Sequence, residues 1–117
     1  MKAQKGLESD GQLIMIIDDE SYNCEVLKSI LILIDPGLET RLIVCLSATE
    51  ALAKVKESAD GGLNIGLIFT DLSMPMMDGY QFSVACRRML RNDYGIERAD
   101  QPKIVALTGH IESEFYL

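Results

Sequence analysis

The run Ile65-Gly66-Leu67-Ile68-Phe69-Thr70-Asp71-Leu72-Ser73-Met74-Pro75-Met76-Met77-Asp78-Gly79 decides the fold. Its opening, Ile65 to Phe69, is a short apolar stretch of the kind expected in a strand buried on both faces of a sheet. Thr70-Asp71 ends that strand, and the broken stretch Leu72 to Gly79, with Pro75 inside it, cannot continue it. Beyond it Phe82, Ala85, Cys86, Met89 and Leu90 recur at helical spacing, and the pattern frays near Asn92 to Gly95. The unit is therefore a strand, an aspartate at its carboxyl end, a loop and an amphipathic helix.

Working outward, the same unit recurs. Leu13 to Ile17 is an apolar run ended by Asp18-Asp19, and from Glu20 the period changes, with Asn23, Leu27, Ile30, Leu31 and Ile34 on one helical face until Asp35-Pro36-Gly37 stops it. A second strand is predicted at about Arg41 to Leu46. Ser47-Ala48-Thr49-Glu50 has capping-box spacing for a helix that carries Ala48, Ala51, Leu52, Val55 and Ala59 on one face, and Asp60-Gly61-Gly62 turns the chain. A polar connection through Pro102 leads to a fourth strand, Lys103 to Leu107, which runs into Thr108-Gly109-His110. Glu112 to Leu117 would begin a fourth helix. Strict alternation of buried strands and amphipathic helices predicts an α/β fold with a parallel sheet and helices on both faces.

Composition narrows the function. The 117 residues suit one domain, and a net charge of −7 with a pI near 4.6 argues against a general nucleic-acid surface. Cys24, Cys45 and Cys86 are odd in number and embedded in apolar stretches, so neither a disulfide framework nor a zinc site is expected and a cytoplasmic home is simplest. No apolar run approaches the roughly 18 residues of a membrane span. Residues 1 to 12 read as a flexible leader, and 13 to 117 as the domain.

In open parallel α/β sheets ligands bind beyond the carboxyl ends of the strands. Asp18, Asp19, Asp71 and Thr108 all stand at such ends. Taken singly, each carboxylate could merely end a strand or cap a helix; together they predict one pocket. Three carboxylates in one place repel each other, and a hard divalent cation such as Mg2+, which prefers oxygen ligands, resolves the repulsion. A spare carboxylate beside such an ion suits phosphoryl transfer, with Asp71 attacking phosphorus and Thr108 hydrogen-bonding a phosphoryl oxygen.

Three strings carry a resemblance: Ile16-Ile17-Asp18-Asp19-Glu20, Phe69-Thr70-Asp71-Leu72-Ser73-Met74-Pro75-Met76-Met77-Asp78-Gly79 and Ala106-Leu107-Thr108-Gly109. In order and spacing the chain resembles the receiver domains of two-component response regulators, and Asn23 with the Leu-Thr-Gly-His ending is most similar to receivers of hybrid sensor kinases. The resemblance implies a flavodoxin-like doubly wound parallel sheet of strand order 2-1-3-4. It implies that Asp71 accepts the phosphoryl group, Asp19 ligates Mg2+ directly, Asp18 does so largely through water, Ser73 supplies a backbone carbonyl, and Thr108 is a switch hydroxyl. It further implies a phosphohistidine partner, either a sensor histidine kinase or a histidine phosphotransfer protein, and a signalling domain that is not an enzyme.

The chain departs from that pattern at its far end. The family's fifth strand carries a lysine that contacts the phosphoryl group, but only nine residues follow Thr108, too few for a parallel crossover of about a dozen. Lys103 lies at the opposite edge. The domain is therefore expected to be incomplete at its carboxyl end, with weaker phosphoryl transfer and an uncovered sheet edge that invites a domain-swapped dimer. The alternative function is a pseudo-receiver, an interaction module indifferent to phosphorylation. A haloacid-dehalogenase-type enzyme is disfavoured, since Ser73 stands where that class has a second aspartate. The Met74, Met76 and Met77 side chains are expected to pack the loop, Arg87, Arg88 and Arg91 to form a solvated face, and His110 to be a loop residue.

Overall fold

A computed structural model describes residues 12–61, 64–107 and 114–117. In it β1 (Gln12–Ile17) leads to α1 (Ser21–Ile34), then a 3-10 turn (Pro36–Arg41) to β2 (Leu42–Cys45) and α2 (Ala48–Gly61). β3 (Asn64–Asp71) is followed by α3 (Gly79–Tyr94), a second 3-10 turn (Arg98–Asp100), β4 (Lys103–Leu107) and β5 (Glu114–Tyr116). The sheet order is β2-β1-β3-β4-β5, with the first four strands parallel. That is the expected doubly wound 2-1-3-4 arrangement, with one strand added at its edge.

Register places the site. Ile17 is paired with Cys45 on one side and Thr70 on the other, and Asp71 with Leu107. The residues that follow Ile17 and Thr70 are Asp18 and Asp71, so the two carboxylates leave adjacent strands at the same level. The register shifts between Leu13 and Ile14, where Gly66 is the extra residue of β3. A Cβ on Gly66 would lie 2.6 Å from the Gln12 side chain, so glycine suits this bulge.

Met15, Ile17, Cys45, Ile65, Ile68 and Ile104 project into a core closed by Ala51 and Val55 of α2 and by Phe82, Cys86 and Leu90 of α3. These are the helix faces that the spacing predicts. α3 is well terminated at both ends. Asp78 Oδ1 accepts from Gln81 N at 2.8 Å while Asp78 N donates to Gln81 Oε1 at 3.0 Å, a capping box. At the other end Gly95 takes φ 67°, and the N–H groups of Gly95 and Ile96 donate to the carbonyls of Arg91 and Leu90. The expected cap of α2 forms as well, with Glu50 N donating to Ser47 Oγ, although the Glu50 carboxylate reaches Leu46 N and not the capping residue.

The structure corrects three expectations. Glu114 to Tyr116 does not begin a helix; it forms β5, antiparallel to β4, with Ala106 opposite Phe115 and Leu117 N donating to Ile104 O at 2.8 Å. The free edge of β4 offers unpaired donors and acceptors that an aromatic-rich segment satisfies, and a short connection permits only the antiparallel direction. Secondly, α1 buries Cys24 and half-buries Leu27 and Leu31, whereas Asn23, Ile30 and Ile34 are exposed. Its second half is apolar on nearly every side, so periodicity could not choose the inward face. Thirdly, β2 is shorter than expected because Arg41 belongs to the 3-10 turn. Residues 1–11 of the leader lie outside the described residues, and Gln12 already belongs to β1.

Candidate metal centre

β1 and β3 supply three carboxylates. One oxygen each from Asp18, Asp19 and Asp71 can be chosen so that all lie within 4.8 Å of one another, with Asp18 buried, Asp71 half-buried and Asp19 exposed. Asp18 is held on both sides: its N–H donates to Cys45 O at 3.1 Å, and its Oδ1 accepts from Glu20 N at 2.9 Å. Its carbonyl accepts from the Cys24 thiol at 3.5 Å, and burial together with the charge of Asp18 pushes that thiol's pKa up. Asp71 Oδ1 accepts from Ser73 N at 3.2 Å, which folds the start of the loop back over the strand end.

The electrostatics follow from the crowding. Burial raises the pKa of the Asp71 carboxyl, the Ser73 N–H opposes the shift, and the charges of Asp18 and Asp19 add to it. The ion pairs Lys54–Glu57, Lys56–Asp60 and Arg91–Glu97 all lie elsewhere. Oxygen-only donors, close spacing and mutual repulsion match what a hard divalent cation requires, so the residues fit Mg2+.

Reading the sequence missed the support beneath the pocket. A Cβ at position 79 would sit 2.3 Å from the Asp71 carbonyl oxygen and 3.0 Å from Thr70 Oγ1, so only glycine lets α3 start this close to the strand end. Gly79 N donates to Leu72 O at 3.3 Å, and the buried Thr70 hydroxyl donates to Asp71 O at 3.0 Å. Asp78-x-x-Gln81 was legible as a capping box, since both residues stand at its spacing. The three methionines divide: Met74 and Met77 pack against the core, but Met76 has φ 71° and is 97% exposed, so the expectation of packing fails for it. Thr108, Gly109 and His110 lie outside the described residues. The three cysteines are free and buried, as expected.

The doubly wound parallel sheet thus carries a three-carboxylate pocket beyond β1 and β3, of a kind suited to a hard divalent cation. The family model described as the response regulator receiver domain matches residues 14–117, and the chain belongs to this family. It is 37% identical over 95 residues to an osmosensing histidine protein kinase of Saccharomyces cerevisiae, covering 81% of this chain and 7% of that one. It is 31% identical over 101 residues to a hybrid signal transduction histidine kinase of Dictyostelium discoideum, covering 86% of this chain and 5% of that one. The chain thus spans a small part of these curated relatives. Among solved structures, the receiver domain of a histidine kinase from Arabidopsis thaliana complexed with Mg2+ superposes with a TM-score of 0.67 at 27% identity, covering 86% of this chain and 69% of that one. Among the described residues no helix is long and apolar enough to cross a membrane.

Proposed function

We propose that this domain is the phosphoacceptor of a phosphorelay, with Asp71 taking a phosphoryl group from a phosphohistidine partner. The observation that carries the reading is the convergence of Asp18, Asp19 and Asp71 within 4.8 Å at the strand ends. Asp19 and Asp71 would hold Mg2+ directly, Asp18 largely through water, and Ser73 through its backbone carbonyl. When bound, the ion supplies positive charge for the incoming phosphoryl oxygens. An Asp71 oxygen attacks phosphorus, the P–N bond to the imidazole breaks with its electron pair leaving on nitrogen, and an acyl phosphate forms. The Thr108 hydroxyl is the proposed switch group. The domain carries the phosphoryl group and is not an enzyme in its own right.

The partner is a sensor histidine kinase or a histidine phosphotransfer protein. What supports this is α1: it starts beside Asp18 and Asp19, and Tyr22, Val26, Ile30 and Leu33 form an exposed apolar stripe along it. A helix of the partner laid on that stripe would bring a histidine to Asp71. Buried free cysteines suit a cytoplasmic location, and the net charge of −7 suits a domain that does not itself bind nucleic acid. The alternative, an interaction module without phosphorylation, draws on β5, whose Glu114, Phe115 and Tyr116 include no lysine.

Incubation with acetyl phosphate and Mg2+ tests the reading by mass spectrometry. A gain of about 80 Da that Asp71→Asn abolishes is expected. Absence of any gain in a folded, Mg2+-binding protein would leave the interaction module standing.

A further inference from the structure

Thr70 is a polar residue where the sheet is otherwise apolar. It follows the run Ile65 to Phe69, is paired with Ile17 on one side and Ala106 on the other, and is fully buried. Valine would fill nearly the same volume with no hydroxyl to desolvate, and a buried hydroxyl costs stability unless it is bonded. What this hydroxyl holds is the Asp71 carbonyl, to which Thr70 Oγ1 donates at 3.0 Å.

That carbonyl lies against the start of α3, where a Cβ on Gly79 would come within 2.3 Å of Asp71 O and 3.0 Å of Thr70 Oγ1. Gly79 N donates to the next carbonyl, Leu72 O, at 3.3 Å. α3 is itself tied to the chain entering β4: Arg87 Nη1 donates to Gln101 Oε1 at 2.9 Å and to Pro102 O at 3.1 Å, so Arg87 is half-buried and leaves the solvated face expected of it. Two successive carbonyls of the chain leaving β3 are thus pinned, one by a side chain of the strand and one by the backbone of a fixed helix.

Asp71 needs such pinning. The pairing of β3 with β1 ends at Thr70 and Ile17, so at Asp71 the ladder holds through Leu107 of β4 alone. Its carboxylate stands within 4.8 Å of those of Asp18 and Asp19, and like charges at that distance push a carboxylate toward solvent wherever its backbone can turn. We propose that Thr70 is a positioning residue of the metal centre: its hydroxyl locks the Asp71 carbonyl against α3 and so keeps the Asp71 carboxylate beside Asp18 and Asp19, ready for a divalent cation. The proposal rests on the reading of this pocket as a Mg2+ centre at which Asp71 is phosphorylated. Thr70 acts through Asp71 and touches neither the ion nor the phosphoryl group.

The test compares the full chain with Thr70→Val and Thr70→Ser by calorimetric Mg2+ titration, acetyl phosphate labelling and urea unfolding. Valine keeps the shape and loses the hydroxyl, whereas serine keeps the hydroxyl and loses a methyl group. Thr70→Val should weaken Mg2+ binding by about fivefold or more and raise the Mg2+ concentration for half-maximal labelling by a similar factor. An unchanged urea m-value then shows that lost folding is not the cause. Thr70→Ser should bind Mg2+ to within about twofold of the parent, although the space it leaves lowers its urea midpoint. A purely structural role would reverse the order, with valine binding Mg2+ like the parent and serine the weaker of the two. That order, or equal affinity in all three chains, would overturn the proposal. Weaker Mg2+ binding in Thr70→Val, in a protein that gains no mass of about 80 Da with or without the substitution, would support the positioning role and overturn the phosphoacceptor reading instead.

Discussion

α1 and α3 are similar in length, 14 and 16 residues, and each follows a strand whose end carries an aspartate of the pocket, yet they serve the sheet differently. α3 is capped at both ends and sinks Phe82, Cys86 and Leu90 into the core. α1 has no side-chain cap, buries only Cys24 fully, and leaves Leu33 83% exposed. The difference teaches that one helix of the site is a foundation and the other a surface. Asp71 gets its fixed geometry from α3, whose first residue touches its carbonyl, whereas α1 presents apolar area beside Asp18 and Asp19 that a partner can cover.

The contrast can be broken most severely at Phe82. Phe82→Ala empties a fully buried site and is expected to cost about 3–5 kcal/mol in urea unfolding. A loss below about 1 kcal/mol would mean that α3 is not the foundation. Next, Gly79→Ala forces a methyl group against the Asp71 carbonyl, where the neighbour is backbone and cannot swing away. A destabilisation of about 1–3 kcal/mol is expected, together with weaker Mg2+ binding by calorimetry. Asp78→Ala removes the capping box at a cost of about 1 kcal/mol, measured the same way.

Smaller, and opposite in sign, is the effect at Asp71. Its folded-state pKa is raised, so the folded protein holds the proton more tightly than the unfolded chain does, and ionisation costs stability. That cost is fully present above the raised pKa and vanishes as pH falls below the unfolded value. Without Mg2+, Asp71→Asn should therefore melt higher than the parent at pH 7, and the advantage should disappear in acid. Added Mg2+ should stabilise the parent more than the variant and narrow or reverse the order. Least of all, Leu33→Ser on α1 should change stability by less than about 0.5 kcal/mol while weakening binding to a phosphohistidine partner. A large loss of stability there would show that the α1 stripe belongs to the core.

Much of the site was legible because its signals are local. Asp18, Asp19 and Asp71 each end an apolar strand, and a parallel sheet must bring such ends together. α2 and α3 were legible for the same kind of reason, since Ala51, Val55, Phe82, Cys86 and Leu90 recur at the helical period with polar residues between them. The face of α1 was not, because Leu27, Ile30, Leu31, Ile32, Leu33 and Ile34 leave period 3.6 without contrast. Nor was the role of Gly79: its sequence neighbours mark a turn, while the Asp71 carbonyl that demands glycine comes from a different element.

The sequence by itself determined the order of the first four strands and three helices, the acidic residues at the strand ends and the chemistry they can support, because periodicity, turns and side-chain type act over a few neighbouring residues. Only the tertiary structure decided the existence and direction of β5 and the outward face of α1. Each of these depends on which backbone donors and apolar surfaces are left unsatisfied once distant segments have paired, and that is a property of the assembled sheet.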